Sequence, residues 1–121
     1  MKYLILVHHD EEAFGKIPEA IRQELLAESV QLTHQLHDNG QYVHASPLHP
    51  AVTGIIVRVR DGKQFVTDGP FVETREQLAG YFLIEARDLN EAISVGARIP
   101  GARIGTVEVR PVREIQGLPN E

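Results

Sequence analysis

The sequence predicts an α+β domain whose mainly antiparallel sheet carries two helices on one face and an inserted β-hairpin. Three observations predict this class. The predicted elements follow the order strand, helix, strand, hairpin, strand, helix, strand. Apolar residues recur with a helical period in two segments and alternate in the strand segments. The chain has 121 residues, which fits one domain.

The first strand and the first helix carry the clearest patterns. Residues 2–7 are continuously apolar after Lys2, which predicts a central strand that is covered on both faces. Pro18 favours the first turn of a helix, and Asn39-Gly40 favours its end. Between them lies an apolar stripe with a period near 3.6 residues, formed by Ile21, Leu25, Leu32 and Leu36 and widened by Leu26 and Val30.

Turn and cap residues divide the rest of the chain. Asp61-Gly62 joins two extended runs, the strongest short-range hairpin signal that a sequence offers. Asp88, with Glu91 three residues later, predicts the start of the second helix, and Pro100-Gly101 predicts its end. Short strands are predicted over residues 41–45, 79–86 and 105–112, and the segment after Arg113 is predicted to be loose.

Apolar residues are also expected on the sheet face opposite the helices. Alternation assigns Tyr81, Leu83, Val107 and Val109 to that face. In a chain this small, a second copy is the expected cover. The sequence therefore predicts a homodimer joined through sheet faces.

Composition excludes several classes of function. Twelve basic and 17 acidic residues give a net charge of −5, which argues against a nucleic-acid partner. No apolar run approaches the roughly 18 residues of a membrane span. The absence of Cys excludes disulfides and thiolate chemistry and favours a cytoplasmic location. His34 and His37 share a helix face but lack an evident third ligand, so no metal is expected. No phosphate loop or dinucleotide fingerprint occurs, and no cofactor is predicted.

A sequence motif adds a family resemblance. Residues 66–82 read VTDGPFVETREQLAGYF, and this run resembles the signature of DGPF-domain proteins, a branch of the YCII-related family. Residues 57–63 and 97–112 also match. The resemblance covers the chain from Met1 to about residue 113, so we expect one domain over residues 1–113 and a tail over residues 114–121.

The resemblance implies more about fold than about activity. It implies a ferredoxin-like fold that dimerises sheet to sheet as a dimeric α+β barrel. Many DGPF-domain proteins resemble small proteins encoded beside extracytoplasmic-function sigma factors. Some YCII-related members resemble enzymes with a His–Asp pair, and here those two positions hold Ser29 and Ile99. Neither side chain replaces a general base, which argues against that chemistry.

Six residues are candidates for a ligand pocket. Asp68 and Phe71 belong to the DGPF run, which has two alternative interpretations, a cavity mouth and a tight turn. Glu76 lies in a polar connector. His9, His44 and Tyr81 complete the candidate set, because imidazole is the side chain most often used for proton transfer near neutral pH.

Three functions follow as hypotheses. The first is a small cytoplasmic dimer that binds a small molecule between helices and sheet, in binding or regulation linked to a sigma factor. The second is a cofactor-free enzyme doing acid–base chemistry on a small phenolic or carbonyl substrate. In that reading His44 or His9 is the base, and Asp68 or Glu76 orients it. The third is a protein-interaction module without a ligand.

Overall fold

The computed structural model of the chain describes residues 1–70 and 74–119. Within them it contains four helices, six strands and a short 3-10 turn over Ala51–Thr53. The strands are β1 (Lys2–His9), β2 (Tyr42–Pro47), β3 (Ile55–Arg60), β4 (Lys63–Asp68), β5 (Gln77–Glu85) and β6 (Thr106–Pro111). The helices are α1 (Glu11–Gly15), α2 (Glu19–Asp38), α3 (Leu89–Arg98) and α4 (Gly101–Ile104).

Four strands form the main sheet in the order β2-β5-β1-β6, with every neighbouring pair antiparallel. The predicted α+β class is therefore confirmed, and β1 is central as expected. The described strands form no closed barrel. No helix in the described ranges is long and apolar enough to cross a membrane.

Alternation along the strands buries one face of the sheet. Tyr3, Ile5 and Val7 of β1 pack with Phe82 and Ile84 of β5 in the core, whereas the intervening side chains of β1 are half-buried. The helices supply the other layer through their own apolar side chains, namely Leu32, Leu36, Ala92 and Val95.

The prediction that Val107 and Val109 of β6 lie on the sheet face opposite the helices was wrong. Val109 lies opposite Ile5 across the β1–β6 pair, and residues directly opposite each other share a face. Val107 and Val109 consequently pack against α3, where a Cβ on Gly96 would lie 3.6 and 3.4 Å from them. Alternation alone shows which residues share a face, and the register with β1 decides which face that is.

Helix α2 keeps the predicted period but is rotated from the predicted stripe. Leu32 and Leu36 are buried, whereas Ile21 is 46% exposed. The inward row runs from Leu36 and Leu32 through Ser29 and Leu25 to Arg22, at spacings of three and four residues. Gly40 ends the helix with a φ of 72°, the left-handed stop that the sequence predicted.

Two short helices were not predicted. Asp10 caps α1 by accepting a hydrogen bond from the backbone N–H of Ala13 at 3.1 Å. Gly101 begins α4, although the sequence predicted only that Pro100-Gly101 ends the second helix. Both segments are shorter than two helical turns, so neither shows an apolar period of its own.

The predicted β3–β4 hairpin is confirmed as a separate two-stranded sheet. Its turn places Asp61 and Gly62 at φ values of 52° and 74°, as a two-residue hairpin turn requires. One face of the hairpin carries Ile55, Val57 and Val66, which are 57–60% exposed. An isolated two-stranded hairpin is only marginally stable in water, and packing of this apolar face against another surface would stabilise it.

Candidate functional site

A cavity of about 290 Å³ lies between α2 and the main sheet. Its walls come from β1, α1, α2, β2, β5, α4 and the Ile99-Pro100 step before α4, and apolar surface predominates. Apolar side chains on these walls include Val7, Phe14, Leu25, Leu26, Val30, Tyr42, Ala45, Phe82, Ile99 and Ile104. Concave, largely apolar sites with a few polar groups are the usual form of small-molecule sites.

His9 brings an imidazole to one end of the cavity. It follows the buried part of β1, and its ring stacks on Phe14 of α1 with 4.4 Å between ring centroids. Burial lowers the pKa of His9, and the negative charges of Glu11, Glu76 and Asp10 oppose that shift. His9 is therefore neutral near pH 7, with a ring nitrogen able to accept or donate a hydrogen bond.

Arg22 of α2 contributes a positively charged side chain to the same cavity lining. Its guanidinium carbon lies 6.0 Å from the ring centre of Phe14, the range of a cation–π contact. Its Nε is buried and has no hydrogen-bond partner among the described residues. Of the described lining residues, Arg22 alone carries a formal charge at neutral pH.

The two positions that the resemblance links to a His–Asp pair both line this cavity. Ser29 donates its hydroxyl hydrogen bond to the carbonyl of Leu25 at 2.9 Å, one turn back on α2. Ile99 is 1% exposed and contributes only hydrocarbon. Neither side chain supplies the acid or the base of such a pair.

The predicted site residues are distributed over separate places. His9 and Tyr81 belong to the cavity lining. The Tyr81 hydroxyl is hydrogen-bonded to Nδ1 of His44 at 2.7 Å, and the two rings stack with centroids 5.6 Å apart. His44 itself is exposed and lies opposite Leu83, on the sheet face that Tyr81 shares, and it does not belong to the lining.

The remaining predicted residues lie outside the cavity lining or outside the described ranges. Asp68 ends β4 opposite Ile55 and is exposed. Glu76 is half-buried and influences His9 through its charge. Phe71 lies outside the described residues.

Neither candidate base is paired with an acid. Within residues 1–70 and 74–119, no carboxylate lies within 4.0 Å of a ring nitrogen of His9 or His44, whereas His8 approaches Glu108 at 3.4 Å. The described residues also hold no group of three or more metal-ligating side chains. Among the described residues, neither His9 nor His44 is therefore part of an assembled histidine–carboxylate dyad.

Sequence reasoning missed Arg22 and Phe14. The signal for Arg22 was present, because it lies three residues before Leu25 and seven before Ser29, on the inward row of α2. A charged residue at an apolar-row position is informative, since charges are rarely buried without a role. Phe14 gave no such signal, because α1 is too short to show a period.

Fold and site together define a small α+β protein with an apolar cavity between its helices and its sheet. The family model of the YCII-related domain matches residues 1–116, so the chain belongs to the YCII-related family. This confirms the family resemblance read from the sequence. The chain is also 28% identical over 114 residues to the uncharacterized protein R00369 of Rhizobium meliloti (strain 1021), covering 93% of this chain and 92% of that protein.

Proposed function

We propose that this protein binds a small molecule in the cavity between α2 and the sheet. The observation that carries the proposal is the cavity itself, about 290 Å³ of mainly apolar space with His9 and Arg22 at its wall. Such a space suits an apolar ligand body, and a few polar groups suffice to orient it. Ser29 and Ile99 favour binding over His–Asp chemistry, because neither can transfer a proton at neutral pH.

A pair of serine substitutions tests this proposal. Ser29→Leu adds hydrocarbon to the cavity wall and removes only a hydroxyl that bonds its own helix. Ser94→Leu is the matched control, because the exposed Ser94 donates the same kind of bond to the carbonyl of Asn90, one turn back on α3, and lies outside the lining. Ligand-detected NMR with a fragment mixture should give signals for wild type and Ser94→Leu and lose them for Ser29→Leu. Equal signals from all three proteins would refute the proposal.

A catalytic alternative rests on His9. Burial keeps this imidazole neutral near pH 7, as a general base requires, and the charge of Glu76 acts on it. A small phenolic or carbonyl compound in the cavity would be the substrate. Turnover that survives His9→Gln would exclude this role, and turnover lost with unchanged binding would support it.

We also propose that the protein forms a homodimer through its sheet faces. The DGPF branch of the family and a ferredoxin-like fold, which the resemblance also implies, are part of this proposal. Leu4, Leu6 and Leu83 support it, since they lie on the sheet face away from the helices and are half-buried in the single chain. Covering these side chains with a second copy would remove more apolar surface from water. The link to sigma-factor regulation and the cytoplasmic location stay predictions.

Light scattering tests the dimer. Wild type at micromolar concentration should give twice the 13.5 kDa chain mass. Leu6→Lys places a charge on the proposed interface and should give the monomer mass. Val52→Lys, at a residue that is 72% exposed, should stay dimeric. A monomeric wild type would refute the dimer without affecting the cavity proposal.

A further inference from the structure

Arg22 presents a hydrogen-bond donor that the described protein does not satisfy. Its Nε–H is buried without a partner, although Arg22 is half-buried as a whole and lines the cavity. Leaving a buried donor unpaired costs free energy, and the cost is larger for a charged group. Such groups in native proteins call for an explanation, and a ligand acceptor in the adjoining cavity is one.

Three acidic side chains on α2, on α1 and before α1 are already engaged by other groups. Glu28 of α2 forms a two-point pair with Arg103, at 2.8 and 2.9 Å. Both carboxylate oxygens of Glu11 accept the backbone N–H of Ala51, at 3.1 and 3.2 Å. Asp10 caps α1. Arg22 therefore faces an apolar space with a positive charge that none of these carboxylates offsets.

The rest of the lining defines the ligand that would complement this charge. Val7, Leu25, Phe82 and Ile99 offer only hydrocarbon or aromatic surface. The single formal charge of Arg22 matches a monoanion, whereas a dianionic phosphate would leave charge uncompensated in an apolar space. The planar guanidinium fork fits a carboxylate.

We propose that the cavity selects a small monocarboxylic acid with an apolar, aromatic-sized body, held by its carboxylate at Nε of Arg22. This inference rests on the proposed binding function and adds the ligand class. The apolar body occupies the space toward Phe82 and Ile99. His9 lies in the same lining as a neutral donor or acceptor for a second polar atom of the ligand.

Calorimetric titration of three matched probes tests the proposal. The probes are 3-phenylpropionate, 3-phenylpropanamide and 3-phenyl-1-propanol, which share one body and differ in the polar end. The wild-type protein should bind the acid roughly tenfold or more tightly than the amide and the alcohol, as expected for a charge-assisted hydrogen bond. Arg22→Gln should remove that preference while retaining binding of the two neutral probes.

Arg60→Gln is the control for net charge, because Arg60 lies on the hairpin outside the cavity lining and donates a hydrogen bond to the neighbouring carbonyl of Val59. It should keep the preference for the acid. Equal affinity of wild type for all three probes would overturn the ligand class and leave the binding function standing. Binding of none of the three would overturn both proposals. If Arg22→Gln fails to fold, the ratio of the wild-type affinities for the acid and the amide still tests the proposed ligand class.

Discussion

Gly105 allows α4 to pack closely against the end of β1, beside the cavity. It follows α4 and approaches the end of β1 so closely that an added Cβ would overlap the carbonyl oxygen of His8. The same Cβ would lie 3.1 Å from both Cα and Cβ of His9. The φ of Gly105 is −156°, so the prediction depends on this close approach and not on a left-handed backbone.

Gly105→Ala should therefore destabilise the fold by about 3 kcal/mol, the upper part of the usual cost of overpacking. The obstacle is backbone, which cannot rotate away as a side chain can. Displacing His9 also moves a residue of the cavity lining, so ligand affinity should fall with stability. Urea denaturation measures the effect as a lower midpoint with an unchanged slope.

Gly15→Ala is the matched control. A Cβ on Gly15, the last residue of α1, would meet nothing within 4 Å. Alanine there should leave stability unchanged or raise it by about 0.5 kcal/mol through the unfolded chain. A Gly105→Ala protein as stable as Gly15→Ala would refute the packing of α4 against the end of β1.

Two further predictions concern the core and the site. Leu36 is fully buried, so Leu36→Ala should lower the free energy of unfolding by about 3 kcal/mol in the same assay, whereas Leu118→Ala, at a residue 61% exposed, should change it little. Burial lowers the pKa of His9 from its ordinary 6.5, so the unfolded chain binds a proton more tightly than the folded one. Stability should then fall as pH decreases through about 6.5 toward the lower folded pKa, and level off below it. His9→Gln should remove that part of the pH dependence while His49→Gln keeps it, and identical curves for wild type and His9→Gln would contradict it.

Local signals in the sequence were sufficient for the element order. The cap at Asp88 is confirmed, since its carboxylate accepts the backbone N–H of Glu91 at 2.9 Å. The turn at Asp61-Gly62 and the stop at Gly40 are confirmed in the same way. Each of these depends on residues close together in the chain, and such signals can be read without the tertiary structure.

Features that depend on long-range register could not be read in this way. Alternation in β6 is visible, but pairing of Val109 with Ile5 decides that it points to the helices. Similarly, the period of α2 is visible, but packing on the sheet decides that Arg22, and not Ile21, lies on the inward row.

The candidate site was predicted in part for the same reason. The location between helices and sheet came from the family resemblance, and His9 and Tyr81 do line the cavity found there. His44 was placed on the correct strand, but the irregularity between Tyr42 and His44 puts it opposite Leu83, away from the cavity. Asp68 belongs to the hairpin, whose position relative to the cavity no local pattern encodes.

We propose above all that the cavity between α2 and the sheet holds a small molecule. A crystal structure of the protein with 3-phenylpropionate tests it most directly. We expect the phenyl ring against Phe82 and Ile99 and a carboxylate oxygen within hydrogen-bonding distance of Nε of Arg22. A probe bound elsewhere, with the cavity closed by its own side chains, would contradict it.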